Sequence, residues 1–380
     1  MLSKINLMKK RTKKIKLFWL TWGLALSVSL VLPRRSMAQF TDSKEIKKEF
    51  KVTPETRIEI SNKYGKVELN TWDKDSVVID IKVKVEEKKL SKLEKSMEEI
   101  DFDFTSSQHF LVARTTVGEN RSALEKELLK FKETVLQSDG NVEINYNVWL
   151  PKTNNLRVEN KFGDIFIDDY DGEVEIDLSN GNLKSHDFSG KTNITLNFAD
   201  ATINKIKTAR LDCNYSDLYI REAGSLKIQS KSSTFEILEA KDMDIDSRRD
   251  KFRVRLADLV EADGSFSNFR FNELTDRLTL RAEYGDLDVE KTAPDFSNIY
   301  IESKSTDINL YFNAKSNFGF EITHVKSEVD LCRETTIDEK KVLDDKENKI
   351  QLIGSFNKKT EDNTKLFINA TSGEINIFSE

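Results

Sequence analysis

Ser216-Asp217-Leu218-Tyr219-Ile220, Ser233-Thr234-Phe235-Glu236-Ile237, Asp250-Lys251-Phe252-Arg253-Val254 and Ser267-Asn268-Phe269-Arg270-Phe271 are one pattern written four times, 17 residues apart. Each copy is a small polar turn followed by an apolar–x–apolar pair. The first apolar residue of each pair belongs to a longer series: Ile165, Leu183, Ala201, Leu218, Phe235, Phe252, Phe269, Leu287, Ile308 and Val329. Its intervals are 18, 18, 17, 17, 17, 17, 18, 21 and 21. Val67 and Ile375 carry the same pattern outside the series. A unit this short cannot bury a core of its own, so it must stack on its neighbours. The turns, such as Gly163-Asp164, Gly181-Asn182, Ser216-Asp217 and Gly285-Asp286, use residues that tolerate left-handed or tight conformations. Alternate strand residues point inward. Val174/Ile176, Ile194/Leu196, Leu226/Ile228 and Leu278/Leu280 form a second inward pair in their coils. Two or more short strands per coil of 17–21 residues predict an all-β chain, a parallel β-helix (solenoid), with Phe235, Phe252 and Phe269 stacked inside it.

Outward from this core the chain divides into segments. Residues 1–38 read as a signal peptide: a basic stretch from Lys4 to Lys16, an uncharged apolar run from Leu17 to Leu32, and Ser36-Met37-Ala38 as a cleavage site. The apolar run is shorter than the roughly 20 residues needed to span a bilayer. No transmembrane segment is expected in the mature chain. Residues 39–50 read as a polar lead-in, and 51–380 as a single β-helix domain. A small α/β insertion interrupts that domain near its N-terminal end, at about 87–140. Leu90, Leu93, Met97 and Ile100 follow helical spacing there, as do Leu124, Leu128, Phe131 and Val135 behind a Ser122/Glu125 capping box. Such amphipathic helices would cover an open sheet end, which otherwise templates aggregation. Residues 333–365 are charged and read as irregular, with a loop tip at 344–348 and a final coil after it.

The formal net charge is −6. Removal of residues 1–38 leaves 51 basic against 66 acidic residues, a net charge of −15. That balance argues against nucleic acid and anionic membrane surfaces as partners. Cys213 and Cys332 lie many coils apart, too far for an intramolecular disulfide, and Cys213 reads as a small buried residue.

The motif Asn62-Lys63-Tyr64-Gly65-Lys66-Val67-Glu68-Leu69 matches Asn160-Lys161-Phe162-Gly163-Asp164-Ile165 and Ala282-Glu283-Tyr284-Gly285-Asp286-Leu287. With the leader and the repeated turn–strand units, it resembles the adhesin-like β-helix proteins of Gram-negative bacteria, common in the Bacteroidota. These are related to head domains of autotransporter-type adhesins. The resemblance covers most of the mature chain through short motifs. It implies adhesion and brings no catalytic or binding residues with it.

Candidate chemistry is sparse. Asp242, Asp244 and Asp246 alternate with Met243 and Ile245, so three carboxylates face outward from one strand. They are weak candidates for Ca²⁺, which takes six to eight oxygens, and more simply a solvated face. Arg248 follows them, a pattern compatible with a carbohydrate-active, polysaccharide lyase-like β-helix enzyme. His109, His186 and His324 have no metal spacing, and the last two read as surface positions. Phe166, Tyr170, Tyr219 and Tyr311 fall where alternation points outward and are candidate binding-face aromatics. No cofactor is implied. The leading expectation is a non-enzymatic, exported envelope or cell-surface protein of adhesin-like type, binding an envelope protein or glycan through extended sheet faces. The alternatives are the lyase-like enzyme and a periplasmic structural or sensing partner. Its place would be the periplasm, the outer membrane or the cell surface.

Overall fold

The computed structural model describes residues 39–118, 141–358 and 364–380. The signal segment and the second predicted helix lie outside the described residues. The first strands are β1 (Phe40–Lys51), β2 (Arg57–Lys63), β3 (Val67–Trp72) and β4 (Ser76–Glu87). The lead-in is therefore a strand, β1, antiparallel to β4. Its Lys44, Lys47, Lys48 and Lys51 put charge on an outer strand, a common protection against edge pairing.

The insertion supplies α1 (Leu90–Glu98), β5 (Ile100–Ser106) and β6 (Phe110–Val117), and β7 (Asn141–Pro151) follows it. Helix α1 buries Leu93 against β4 and β1. Ile100, which shares the helical spacing, instead opens β5. Strand β6 pairs with β5 antiparallel and with β2 parallel. Strand β7 pairs with β4 antiparallel and with β3 parallel. The inserted strands and β7 thus take up one edge of β2 and β3, the edge facing away from the repeat.

The repeat proper begins with β8 (Leu156–Lys161), β9 (Ile165–Ile167) and β10 (Val174–Ser179). It continues through β11 (Asn182–Asn197), β12 (Asp200–Asn214), β13 (Asp217–Lys231), β14 (Thr234–Arg248), β15 (Lys251–Ser265), β16 (Asn268–Val289) and β17 (Asn298–Phe312). Each pairs in parallel with the strand one coil later. Leu183, Ala201, Leu218, Phe235, Phe252 and Phe269 lie side by side in one column. Ile194, Leu211, Ile228, Ile245, Ala262 and Leu280 form another. The sequence intervals are therefore the strand registers. The described residues are all-β apart from α1 and form one 23-stranded sheet. Phe235 and Phe252 stack at 4.6 Å, and Phe252 and Phe269 at 5.2 Å, all essentially fully buried.

The C-terminal end departs from simple succession. It holds β18 (Phe318–Val325), β19 (Glu328–Leu331), β20 (Thr335–Asp344), β21 (Lys349–Phe356), β22 (Thr364–Thr371) and β23 (Glu374–Ser379). The stretch that reads as irregular contains β20 and β21, an antiparallel hairpin whose outer edge is β20. Strand β21 lies antiparallel on β18. Ile308 pairs with Ile375, and Ile375 with Val329. The coil made of β22 and β23 is thus inserted between β17 and the β18–β19 coil, which the sequence series had as direct neighbours.

A candidate binding ridge along one corner

Every repeat coil turns one corner through a residue with left-handed backbone. Tyr64, Phe162, Asn180, Phe198, Tyr215, Ser232, Arg249, Phe266, Tyr284 and Ser305 have φ between 50° and 68°. The corner is held by the stack. The Tyr215 N–H donates to the Lys231 carbonyl of the next coil (3.0 Å), and Ser232 and Arg249 repeat the contact. The turn glycines act differently from the sequence expectation. Gly163 and Gly181 are not left-handed. A Cβ on Gly163 would stand 1.9 Å from the Gly65 carbonyl oxygen, and one on Gly181 2.0 Å from that of Gly163. Glycine is needed there because adjacent corners nearly touch. The strained position is the residue before it.

Asp250 fills the same buried place in its coil, at 1% exposure. Its Oδ1 accepts the Ser233 N–H (2.7 Å). Its Oδ2 accepts the Ser230 and Ser247 hydroxyls (2.7 and 2.8 Å) and the Arg248 N–H (2.9 Å). A buried carboxylate is tolerated when its lone pairs are filled in this way.

Left-handed backbone directs the corner side chain out of the stack, and neighbouring corners are one strand spacing, about 4.8 Å, apart. Aromatic corners therefore stack in the open. Phe198 and Tyr215 lie at 4.9 Å and 1° between planes, Phe266 and Tyr284 at 4.9 Å and 12°, and Tyr64 and Phe162 at 5.6 Å and 14°. Phe162, Phe198, Tyr215, Phe266 and Tyr284 are 41–62% exposed. The Lys63 ammonium sits 4.7 Å from the Tyr64 ring centre. Left-handed backbone in a non-glycine residue costs on the order of 1–3 kcal/mol. Three aromatic doublets built on that geometry, exposed except for half-buried Tyr64, make a ridge about 38 Å long, counting nine corners.

The residues singled out from the sequence lie elsewhere. Phe166 and Tyr219 are half-buried on the strand that leaves the corner. Tyr311 is 36% exposed and stacks on Phe378 at 4.4 Å. Tyr170 is a correction: it is fully buried, and its hydroxyl donates to the Asn154 carbonyl at 2.8 Å. Strand β9 ends at Ile167, so the alternation that pointed Tyr170 outward stops before it. His324 is also buried, with Nδ1 unpartnered. Burial holds it below the ordinary imidazole value, and Lys340 adds to that.

Asp242, Asp244 and Asp246 are all exposed. Alternate residues of a strand are about 7 Å apart, whereas Ca²⁺ needs oxygens within about 2.6 Å of itself. Asp242 accepts the Ser225 hydroxyl, and Asp244 pairs with Lys227. The three are not brought together. Asp246 and Arg248 do share a shallow groove of about 510 Å³ on the face just before the corner, with Asp212, Asn214, Gln229 and Lys231. Beyond the corner, Asp286 and Asp307 are direct cross-strand neighbours. The Asp286 carboxyl is held above its usual range by partial burial, then by Asp307 and Asp288.

No helix of the described residues is long and apolar enough to cross a membrane. No family model matches the chain, and no curated protein matches it. Among solved structures it is similar to a "putative cell adhesion protein" from Clostridium sporogenes, at 10% identity over 89% of this chain and 100% of the other, with a TM-score of 0.17. It is also similar to a "putative adhesin" from Bacteroides fragilis, at 11% identity over 70% and 97%, with a TM-score of 0.29. Another "putative adhesin", from Parabacteroides distasonis, matches at 10% identity over 88% and 98%, with a TM-score of 0.29. Scores this low carry no weight for fold or role.

Proposed function

We propose that the protein is an exported, non-enzymatic, adhesin-like binding protein. In this reading residues 51–380 form a single parallel β-helix domain, with an insertion at about 87–140, behind a signal segment at 1–38. The parallel registers at one-coil offsets support the β-helix. The observation that carries the function is the external ridge of stacked aromatics on strained corners. Glycine would take that backbone at lower cost, so the rings serve something other than the fold. Within each doublet the inner ring faces cover each other. The ring edges stay open to a partner lying along the stack, as do the outer faces of Phe162, Phe198, Tyr215 and Phe266, whereas Lys63 and Lys304 lie over Tyr64 and Tyr284. The partner class is an extended glycan or a protein of the cell envelope.

The test is a variant with Phe198, Tyr215, Phe266 and Tyr284 all changed to glycine. It keeps the fold, because glycine suits the corner, and it should lose binding to isolated envelope material. Undiminished binding by the folded variant would end the ridge reading. Protease shaving of intact cells, read with an immunoblot, separates a surface position from a periplasmic one.

A further inference from the structure

We propose that the interruption of the ridge between Tyr215 and Phe266 is a subsite for a carboxylated sugar of an acidic glycan, its carboxylate held by Lys231, Arg248 and Arg249. This rests on the corner ridge being the binding surface.

Several charges on the outer face are paired across or along strands. Lys227 bonds Asp244, Arg210 bonds Asp212, Arg157 bridges Glu175 and Asp177, and Arg281 bridges Asp263 and Glu302. At the interruption this stops. Among the described residues, the side chains of Lys231, Arg248 and Arg249 have no ion pair or hydrogen bond. Lys231 and Arg248 are direct cross-strand neighbours, an arrangement in which like charges repel. Composition does not explain the cluster, because the whole chain is acidic at −6. Asp250 lies beneath, but its oxygens are occupied by Ser230, Ser233, Ser247 and the Arg248 N–H. Lys231, Arg248 and Arg249 are thus left without partners at one corner, with exposed Lys251 one position past it, and a guanidinium fork suits a carboxylate.

The adjoining groove selects among anions. Asp246 and Asp212 offer acceptors only, Asp212 with one oxygen already on Arg210, and Asn214 and Gln229 offer both donors and acceptors. These groups call for hydroxyl donors on the ligand. A carboxylated sugar brings an anion for the cations and hydroxyls for the carboxylates. A nucleic-acid backbone sets a continuous row of anions against Asp212 and Asp246. The outer faces of Tyr215 and Phe266 bound the gap, three strand spacings or about 14 Å wide. They offer apolar surface to the C–H face of a sugar ring at either side.

The test uses the purified protein and a panel of polygalacturonate, polymannuronate and hyaluronate, with fully methyl-esterified polygalacturonate as the neutral counterpart. Phosphatidylglycerol vesicles and duplex DNA are the other anion sources. The variant is Lys231→Gln, Arg248→Gln and Arg249→Gly together, in which glycine also relaxes the left-handed backbone. A carboxylated polymer should bind, the ester should bind far less, and the triple variant should weaken binding by roughly tenfold or more, as for loss of charge-assisted hydrogen bonds. Failure of every carboxylated polymer to bind, equal binding of the ester, preference for vesicles or DNA, or an unaffected triple variant each overturns the proposal. Tyr215→Gly with Phe266→Gly separates the two readings. If that pair abolishes binding while the triple variant does not, the ridge stands and the subsite falls. If the triple variant alone loses binding, the cation site stands and the ridge reading falls.

Discussion

Two aromatic ladders run along this stack, one inside and one outside, and they differ in almost nothing but direction. Phe235, Phe252 and Phe269 stack at 4.6 and 5.2 Å within the core. Phe198 with Tyr215, and Phe266 with Tyr284, stack at 4.9 Å in solvent. Both spacings come from the strand separation. The inner ladder sits on extended backbone and removes apolar surface from water, so it contributes to stability. The outer ladder sits on left-handed backbone with its rings about half exposed, and its backbone opposes stability. The same repeat thus writes a structural element on one side of the sheet and a surface element on the other.

Breaking the inner ladder should have the largest effect. Phe252→Ala leaves a cavity between two stacked rings and should destabilise by about 3–5 kcal/mol, read from the urea midpoint. A loss under about 1 kcal/mol would mean that the rings are not packed as described. Next comes the corner beneath the ridge. Asp250→Ala strands the buried Ser233 N–H and the buried Ser230 and Ser247 hydroxyls, and a buried group left unpaired costs about 1–3 kcal/mol, so a loss of about 2–5 kcal/mol is expected. Asp250→Asn, which keeps an acceptor in place, should lose less.

The histidines repeat the comparison at smaller scale. His324 is buried and its pKa is lowered, first by burial and then by Lys340. His186 is exposed. As pH falls below the ordinary imidazole value of about 6.5, unfolded chain gains a proton at residue 324 that folded chain resists. Stability should therefore fall, levelling once the depressed folded value is passed. His324→Leu should flatten that acid slope in urea titrations at several pH values. The smallest effect belongs to the outer ladder. Tyr215→Gly trades a stacked pair for relief of strain, and stability should stay level or rise by up to about 1 kcal/mol. A loss comparable to that of Phe252→Ala would erase the distinction between the ladders.

The inward columns were legible in sequence because alternation and interval act together: Leu218/Ile220 and Phe235/Ile237 recur at the spacing that later proves to be the register. The ridge was not legible by the same rule. Alternation assigns the strand residues Phe166 and Tyr219 to the outer surface, but it says nothing of the residue at the bend. The signal was present one position earlier, where Tyr64, Phe162, Phe198, Tyr215, Phe266 and Tyr284 each precede the small turn residue. Glycine is the residue expected to carry left-handed backbone, whereas here Gly163 and Gly285 follow the left-handed Phe162 and Tyr284. The cation cluster was visible as Arg248-Arg249-Asp250-Lys251, but whether its charges are paired depends on neighbours 17 residues away. The insertion of β22 and β23 left no local trace, because a strand's pattern records which face is buried and not which strand lies beside it.

That insertion bears on the order of events during folding. The β18–β19 coil precedes β22 and β23 along the chain but lies beyond them in space. The stack therefore cannot grow coil by coil in the order in which the polypeptide is made. A growing chain that has reached residue 360 must keep an opening one strand wide, with hydrogen-bonding edges exposed on both sides, until residues 364–379 arrive to fill it. Any delay in that interval presents two templates for pairing with another molecule, so the step at which β22 and β23 are seated is an aggregation-prone one.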